Sequence, residues 1–313
     1  MNFQQLRIIR ETVRKDFNLT EVANTLHTSQ SGVSKHIKDL EDELGVELYI
    51  RKGKRLLGLT EPGLQMIKVV ERMLLDANNI KNLADQYSQQ DSGQLTIATT
   101  HTQARYVLPR VVTEFKKQFP KVHLKMHQGS PKEIAQMLLE GEADIGLATE
   151  ALGSIAELAA FPLYQWHHAV VVLNGHPLST LNTLTLEAIA DYPIITYHEG
   201  FTGRGSLEQT FKEKGLAPDI VMSALDADVI KSYVELGLGV GIIASVAFSP
   251  ERDTLLRLLN TDHLFPVNET KLALRKGHLL RQYAYRFIEI CSPALKPSYM
   301  MSEVTNQEDL GLL

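Results

Sequence analysis

Residues 64–92 contain neither proline nor glycine, and this uninterrupted segment constrains the fold more than any other feature of the sequence. Its apolar residues advance by alternating steps of four and three, at Met66, Val70, Met73, Ala77, Ile80, Ala84 and Tyr87. A heptad pattern predicts a long helix that buries one stripe, so residues 63–92 are predicted to form a linker and dimerisation helix. A core-facing amphipathic helix is the alternative. The polar residues 88–93 are predicted to form the hinge that ends this helix.

The chain before the long helix has the pattern of a winged helix-turn-helix over residues 1–62. Apolar spacing in residues 3–13 predicts a first helix, and Asn18 is a candidate cap for a second. After a turn at His27, Thr28 or Ser29 is predicted to cap a third helix, with an inward face formed by Val33, Ile37, Leu40 and Leu44. Two short helices joined by a tight turn are typical of DNA-binding domains. Residues 48–50 and 56–59 then predict a two-stranded wing with a basic tip.

The outer face of the third helix and the wing carry side chains suited to DNA. The net charge of the chain is −5, yet residues 1–60 hold ten Lys and Arg against eight Asp and Glu. Gln30 can pair bidentately with adenine, and lysines suit phosphates. A solvated polar face with a charged hairpin is the alternative. The residues predicted to contact double-stranded promoter DNA are Thr28, Ser29, Gln30, Ser31, Ser34, Lys35, Lys38, Arg51, Lys52, Lys54 and Arg55.

Strand and helix patterns alternate through residues 93–313 and predict an α/β domain of two lobes separated by a cleft. The alternation indicates mostly parallel sheets, with one helix expected near residues 102–119. Lobe I is predicted at about 93–162 and 269–292, and lobe II at about 163–268. Ligands of such sheets bind beyond the carboxyl ends of strands and at helix N-termini. Residues 99–103, 149–150 and 200–205 lie at such places, and their hydroxyl, amide and N–H groups suit a small anion. The alternative is that these residues only cap helices or turn the chain and bind no ligand.

Several classes of protein are excluded or disfavoured. A single cysteine, Cys291, rules out an intramolecular disulfide and every Cys-x-x-Cys metal site, so no metal is expected. No apolar run is long enough to span a bilayer and no signal peptide is visible, which predicts a cytoplasmic protein without a membrane partner. No catalytic motif occurs, so neither catalytic residues nor a cofactor are predicted. An enzyme or a free-standing solute-binding protein on the same two-lobed fold is the alternative.

Two sets of motifs carry a resemblance to known regulators. The first sixty residues resemble the N-terminus of LysR-type transcriptional regulators at Leu19-Thr20-Glu21-Val22-Ala23, Ser29-Gln30-Ser31-Gly32-Val33-Ser34 and Leu59-Thr60-Glu61-Pro62-Gly63. Ser31 replaces the proline that commonly follows the glutamine in this family. The later segments resemble the CysB and Cbl group of the same family at Ala98-Thr99-Thr100-His101-Thr102-Gln103-Ala104-Arg105-Tyr106, His127-Gln128-Gly129-Ser130, Ala148-Thr149-Glu150-Ala151-Leu152, Gly200-Phe201-Thr202-Gly203-Arg204 and Asp226-Ala227-Asp228-Val229-Ile230-Lys231.

This resemblance implies a regulator of sulfur assimilation with a periplasmic-binding-protein-like effector domain. It implies an effector such as acetylserine, sulfate, thiosulfate or adenylyl sulfate, a homotetramer built as a dimer of dimers, and RNA polymerase as a further partner. The preferred interpretation is control of cysteine biosynthesis by an acetylserine-type inducer, and sulfonate or sulfate-ester utilisation is the alternative. The residues that the resemblance assigns to the effector are Thr100, Thr102, Gln103, Thr149 and Thr202, with Tyr164 and Trp166 nearby.

Overall fold

The computed structural model describes residues 1–87 and 92–305. The chain divides into two compact units, Met1–Ala84 and Asp85–Leu313, and each is described by itself. Most of the predicted hinge, residues 88–91, lies outside the described residues. Within the described ranges, no helix has the length and apolarity needed to cross a membrane.

Unit 1 (residues 1–84) begins with three helices: α1 (Phe3–Arg14), α2 (Leu19–Thr25) and α3 (Gln30–Leu44). The predicted caps are in place, because Asn18 accepts hydrogen bonds from the Thr20 and Glu21 amides and Ser29 accepts one from Gly32. The wing follows as the antiparallel strands β1 (Tyr49–Lys52) and β2 (Arg55–Leu59). Gly53 lies between these strands with φ +64°, a left-handed conformation that glycine adopts without strain.

The core of unit 1 is formed mainly by the inward faces of these helices and by the wing, at Ile8, Ile9, Leu19, Val22, Ala23, Val33, Ile37, Leu40, Leu48, Tyr49 and Leu56. The expectation that Leu44 belongs to this inward face is wrong, because Leu44 is 37% exposed. Leu44 is the last residue of α3, and the left-handed Gly45 that follows ends the helix there. The buried apolar face of α3 therefore ends at Leu40, before the end of the helix.

The long helix α4 (Glu61–Tyr87) covers most of the segment predicted as a linker helix. Two parts of the predicted seam differ. Met66 packs against the core of unit 1, and Val70 and Met73 form a cluster with Leu6 of α1 and Leu74. Ile80, in contrast, is 68% exposed. The first part of the seam thus follows the core-facing alternative, and the later part leaves an apolar side chain uncovered within the unit.

Unit 2 (residues 85–313) contains two five-stranded sheets. The sheet of lobe I has the strand order β4-β3-β5-β12-β6 and is formed by β3 (Gly93–Thr99), β4 (Val122–Gln128), β5 (Ile145–Ala148), β6 (Leu158–Trp166) and β12 (Asn268–Arg275). The sheet of lobe II has the order β11-β7-β10-β8-β9 and is formed by β7 (His168–Leu173), β8 (Ile194–Tyr197), β9 (Ile220–Ala224), β10 (Val240–Ala244) and β11 (Leu256–Leu259).

The prediction of mostly parallel sheets needs one correction. In each sheet four strands run in the same direction and one runs against them, β12 in lobe I and β7 in lobe II, so two of the four pairings are parallel and two are antiparallel. The antiparallel pairs arise where the chain changes lobe, since β6 leads directly into β7 and β12 returns between β5 and β6. The first crossover lies at His167, a few residues beyond the expected boundary near 162, so Tyr164 and Trp166 lie on β6 in lobe I.

Helices pack on both sheets. They are α5 (Leu108–Gln118), α6 (Pro131–Glu140), α7 (Leu186–Ala190), α8 (Arg204–Glu213), α9 (Ala227–Glu235), α10 (Gln282–Cys291) and α11 (Pro297–Val304). The single helix expected near residues 102–119 is instead a π-helical turn (Gln103–Val107) followed by α5. Pro109 stands in the first turn of α5, where its missing N–H costs no helical hydrogen bond. Near the C-terminus, Met300 and Val304 of α11 join the core of lobe I.

Candidate DNA interface and effector site

The outer face of α3 presents the predicted base-reading side chains to solvent. Gln30, Ser31, Lys35 and Lys38 are exposed, while Thr28 and Ser34 are half-buried. Ser29 has an internal role, because its Oγ accepts the Gly32 amide at 3.1 Å and lies 3.1 Å from the Ser31 Oγ. Ser29 therefore fixes the start of α3, and its neighbours project outward.

A groove of about 740 Å³ runs beside this face. It joins the start of α2, the start of α3 and the wing, and its lining includes Asn18, Gln30, Lys54 and Arg55. The side-chain amide of Gln30, predicted to contact bases, thus lies in the same groove as two cations of the wing. Such a combination suits a DNA edge flanked by phosphates.

Arg51 differs from the other basic residues of the wing. Its guanidinium forms an ion pair with Glu41 of α3, and Glu41 also accepts hydrogen bonds from the Leu48 and Tyr49 amides at 2.8 and 3.3 Å. Glu41 is buried, so these contacts satisfy a charge that would otherwise be costly. We therefore assign Arg51 to anchoring of the wing. Lys52, Lys54 and Arg55 are exposed and remain predicted contacts for the DNA backbone.

Three of the predicted effector residues belong to one hydrogen-bond network in lobe I. Gln103 Nε2 donates to Thr270 Oγ1 at 3.3 Å, and Trp166 Nε1 donates to the same oxygen at 3.1 Å. The Tyr164 hydroxyl donates to the other end of the Gln103 amide. Thr270, on β12, is fully buried and was not predicted. This network fixes the position of Gln103 at the start of the π-helical turn.

The loop before α8 brings Thr202 to the cleft. Thr202 is buried, with φ 45°, and its carbonyl accepts a hydrogen bond from His168 Nε2 at 3.0 Å. Asn268 Nδ2 lies 3.3 Å from the other ring nitrogen of His168, which therefore acts as an acceptor. Burial lowers the pKa of His168 to about 4, so the ring is neutral at physiological pH and suits this donor and acceptor pair.

The loops after β3 and β5 complete the cleft. Thr100 is buried and Thr149 is half-buried. Thr102 is also buried, and its side chain hydrogen-bonds with Tyr197 of lobe II. Glu150 lies next to Thr149, and one of its carboxylate oxygens accepts the backbone N–H of Gly203, just before α8. The structure thus places the loops at residues 99–103, 149–150 and 200–205 around one cleft.

A polar latch joins the lobes beside this cleft. The Tyr106 hydroxyl, in the π-helical turn of lobe I, donates to Asp228 of α9 at 2.6 Å and accepts from Lys231 Nζ at 2.9 Å. Lys231 is buried and pairs with Asp253 at 2.9 Å. Burial alone would raise the pKa of Asp228, but Tyr106, Lys231 and Arg105 together lower it. Because Gln103 and Tyr106 share one π-helical turn, one predicted effector residue and one residue of the latch belong to the same local element.

One cluster near the latch has the composition of a metal site. Ligand atoms of His101, Asp226 and Asp228 lie within 4.8 Å of one another. Asp226, however, caps α9 by accepting the Val229 amide at 2.9 Å, and Asp228 already pairs with Arg105 and Lys231. A cation would have to compete with two basic side chains, so this cluster is better described as an ion-pair network.

No role was predicted from the sequence for several groups that the structure places where the lobes meet. They are Glu150, His168, Gly203, Asn268 and Thr270 around the predicted effector residues, and Tyr106, Asp228, Lys231 and Asp253 in the latch. Tyr106, Asp228 and Lys231 lie in motifs that resemble the CysB and Cbl group. Glu150 and Gly203 lie inside predicted ligand loops, and this position in the sequence could have indicated a role at the site. His168, Asn268 and Thr270 lie on strands, where a polar residue at a buried position cannot be recognised until the register is known.

Two family models match the chain. The model described as bacterial regulatory helix-turn-helix protein, lysR family, matches residues 3–64. The model described as LysR substrate binding domain matches residues 88–296. The chain belongs to the LysR family of transcription regulators. The prediction of that family and of its two-part architecture is confirmed, and the enzyme alternative finds no support among its relatives, which are named as transcriptional regulators.

Full-length relatives of this LysR regulator are highly similar. It is 60% identical over 295 residues to the HTH-type transcriptional regulator SsuR of Burkholderia cenocepacia, covering 94% of this chain and 96% of SsuR. It is 52% identical over 309 residues to the regulator cbl of Escherichia coli, covering 99% and 98%. It is 54% identical over 295 residues to CysB of Burkholderia cenocepacia, covering 94% of each chain.

Solved structures agree with the fold. The crystal structure of the cofactor-binding domain of the Cbl transcriptional regulator matches with a TM-score of 0.67 and 48% identity, covering 69% of this chain and 94% of that domain. A single-residue variant of full-length OxyR from Pseudomonas aeruginosa matches over 94% of each chain with a TM-score of 0.68 at 22% identity, which supports the fold alone.

Proposed function

We propose that this LysR regulator binds promoter DNA of sulfur-assimilation genes, including those of cysteine biosynthesis, and responds to a small anionic effector of the acetylserine, sulfate or thiosulfate type. The resemblance of its cleft motifs to the CysB and Cbl group supports the gene class. The high identity to SsuR, Cbl and CysB over nearly the whole chain supports the same assignment.

For DNA, the supporting geometry is the exposed face of α3 beside the basic groove of the wing. Gln30 and Ser31 are positioned to contact base edges, and Lys35, Lys38, Lys52, Lys54 and Arg55 to contact phosphates. Because this surface acts on promoter DNA, the protein is proposed to work in the cytoplasm, with RNA polymerase as a further partner at the promoter.

For the effector, one observation carries the proposal. Polar groups of both lobes converge where β3 and β5 end and α8 begins, and Thr100, Thr102, Gln103 and Thr202 are buried there. A backbone N–H at the start of α8 already holds a carboxylate in this place. Oriented N–H groups and hydroxyls bind oxyanions without a buried cation. Thr149, Tyr164 and Trp166 are proposed to complete the site.

A homodimer, and from it a dimer of dimers, is part of the proposal. Ile80 and Leu83 are exposed along α4 in unit 1, and a second α4 would cover them. In unit 2, Val221 and Leu225 of the β9 region and Leu236 after α9 are exposed and offer a second contact. Two recognition helices related by a two-fold axis would read an inverted repeat.

Control of sulfonate or sulfate-ester utilisation is the second candidate. It is supported by the 52% identity to cbl over 98% of that protein. Retention of DNA fragments from upstream of each gene class, measured over a range of salt concentrations, separates the two candidates. Preferential retention of the sulfonate-gene fragment would replace the first candidate by the second.

Calorimetric titration with O-acetylserine, N-acetylserine, thiosulfate, sulfate and adenylyl sulfate tests the effector. We expect at least one to bind, and Thr100→Val to weaken that binding while DNA retention is unchanged, because the lost hydroxyl lies in unit 2. Thr113→Val is the matched control, because Thr113 lies on the solvent-exposed face of α5. If none of the five compounds binds a protein that still retains DNA, the proposed effector class is wrong.

A further inference from the structure

Glu150 forms a contact between the lobes at the proposed effector site. It follows β5 of lobe I, and its Oε1 accepts the backbone N–H of Gly203 at the start of α8 in lobe II. An N–H at the start of a helix is a preferred position for an anion, because the first N–H groups lack helical partners and the helix dipole favours negative charge. In this structure the anion at that position is a side chain of the protein itself.

The Gly203 N–H is held in place by its surroundings. Gly203 has φ +71°, and a Cβ added to it would lie 2.6 Å from Asn268 Oδ1 and 2.7 Å from His168 Cε1. Asn268 Oδ1 also accepts the Ser206 hydroxyl at 3.2 Å, and His168 holds the Thr202 carbonyl. The backbone that presents this N–H is therefore fixed by two buried side chains and does not depend on Glu150 for its conformation.

Glu150 binds at this position with only one of its two carboxylate oxygens, as far as the described residues show. Its second carboxylate oxygen, Oε2, is buried without a hydrogen-bond partner among the described residues, and none of the ion pairs found there involves Glu150. Burial raises the pKa of Glu150, although backbone N–H groups act in the opposite sense. The hydroxyl of Thr99, the last residue of the neighbouring strand β3, is also buried without a partner in the described part of the chain. A carboxylate with unpaired oxygen in such a place is readily replaced by a ligand that satisfies more of these groups.

We propose that Glu150 is an internal competitor of the effector: its carboxylate occupies the anion position at Gly203 when no effector is bound, and an effector anion must displace it. This inference rests on the proposed effector site. Displacement exchanges a contact between the lobes for contacts with the ligand, so binding is coupled to the arrangement of lobes I and II. Glu150 also limits affinity for anions, because its negative charge opposes theirs in a poorly solvated cleft.

Sulfate titration of the full-length protein and its Glu150→Gln variant tests the proposal. The glutamine is nearly isosteric and neutral, so it competes less for the Gly203 N–H and does not repel the anion. We expect sulfate to bind the variant about tenfold more tightly, equivalent to about 1.4 kcal/mol. Glu199→Gln removes the same charge from the exposed loop before α8 and should leave affinity within about twofold.

Glu150→Asp provides a second measurement that does not depend on the glutamine variant folding. The shorter side chain keeps its charge but no longer reaches Gly203, so sulfate should bind more tightly than to the wild type but less tightly than to Glu150→Gln. Equal affinity in all three proteins would overturn the inference and leave the effector site standing. Weaker binding to Glu150→Gln would also overturn it, because Glu150 would then be a ligand of the effector. Sulfate binding to none of the proteins would instead reject sulfate as a ligand of the proposed site, and the inference with it.

Discussion

The proposed DNA-facing surface of unit 1 and the proposed effector site of unit 2 use polar side chains in opposite ways. On α3, Gln30, Lys35 and Lys38 are exposed and have room to meet a partner. In the cleft, Gln103, Trp166 and Thr202 are buried, and many of their polar groups already bond to other parts of the chain. DNA therefore adds contacts to an open surface, whereas an effector must exchange existing contacts for its own.

This difference predicts how substitutions act. A change on the open surface removes contacts with the partner and leaves the free energy of unfolding nearly unaltered. A change in the closed site alters both the ligand contacts and the packing between lobes, so stability and response shift together. Matched controls are needed to separate the two effects in unit 2.

The largest expected effect is that of Gly203→Ala. The added methyl group would collide with Asn268 and His168, and the left-handed φ of +71° disfavours any side chain. We expect unit 2 to lose about 2–4 kcal/mol of unfolding free energy and the protein to lose its effector response. Denaturant unfolding and effector titration measure the two losses.

Gly205→Ala is the control for this substitution, since no atom lies within 4 Å of the added methyl group and the residue is inside α8. It should be neutral or slightly stabilising, because alanine favours a helix more than glycine does. A Gly203→Ala protein with normal stability and normal response would show that the cleft is as tolerant as the DNA surface, and the contrast between the units would fail.

Gln30→Ala tests the open surface and should have the next largest effect. Loss of a bidentate contact with a base costs about 1–3 kcal/mol, so we expect specific DNA affinity to fall by about 5- to 150-fold. The free energy of unfolding should change by less than about 0.5 kcal/mol, because the Gln30 side chain is exposed. Electrophoretic retention and thermal unfolding measure the two quantities.

Gln65→Ala is the corresponding control on α4, where an exposed glutamine donates to Glu61 at 3.1 Å. It should leave DNA affinity unchanged. If both glutamine variants bound DNA equally well, Gln30 would not read bases and the proposed orientation of α3 on the groove would be wrong.

The two units also differ in how far the sequence alone predicted them. In unit 1, helix caps and hydrophobic spacing act over a few residues, so Asn18 and Ser29 identified the helix starts, and most of the polar residues predicted to contact DNA are exposed. Nothing local indicated that Arg51 pairs with Glu41, because that contact depends on how the wing packs against α3.

In unit 2 the two lobes and the return of the chain to lobe I near residue 269 followed from local patterns. The strands β6, β9 and β11 did not, because β6 and β9 have mixed burial patterns and β11 is only four residues long. The contacts of Gln103 with Thr270 and of Tyr106 with Lys231 join residues more than a hundred positions apart. Such pairs depend on sheet register and lobe closure, which a single sequence does not specify.

Tyr106→Phe should produce the smallest effect, and it tests whether the closed site depends on the latch between lobes. The substitution removes the hydroxyl that donates to Asp228 and accepts from Lys231, but Lys231 keeps Asp253 and the Ala247 carbonyl. We expect about 1 kcal/mol less unfolding free energy in unit 2 and effector binding a few times weaker, because the closed arrangement loses one contact. Unfolding and titration of the purified protein measure both.

Tyr233→Phe, on the same helix as Lys231 but partly exposed, controls for loss of a tyrosine hydroxyl and should leave both quantities unchanged. DNA retention without effector should be equal in the two variants, since neither residue belongs to unit 1. If Tyr106→Phe matched its control in effector affinity while losing stability, the latch would contribute to folding alone. The arrangement of the lobes would then be maintained by the contacts of Thr102 with Tyr197 and of Glu150 with Gly203, and ligand exchange would depend on those contacts.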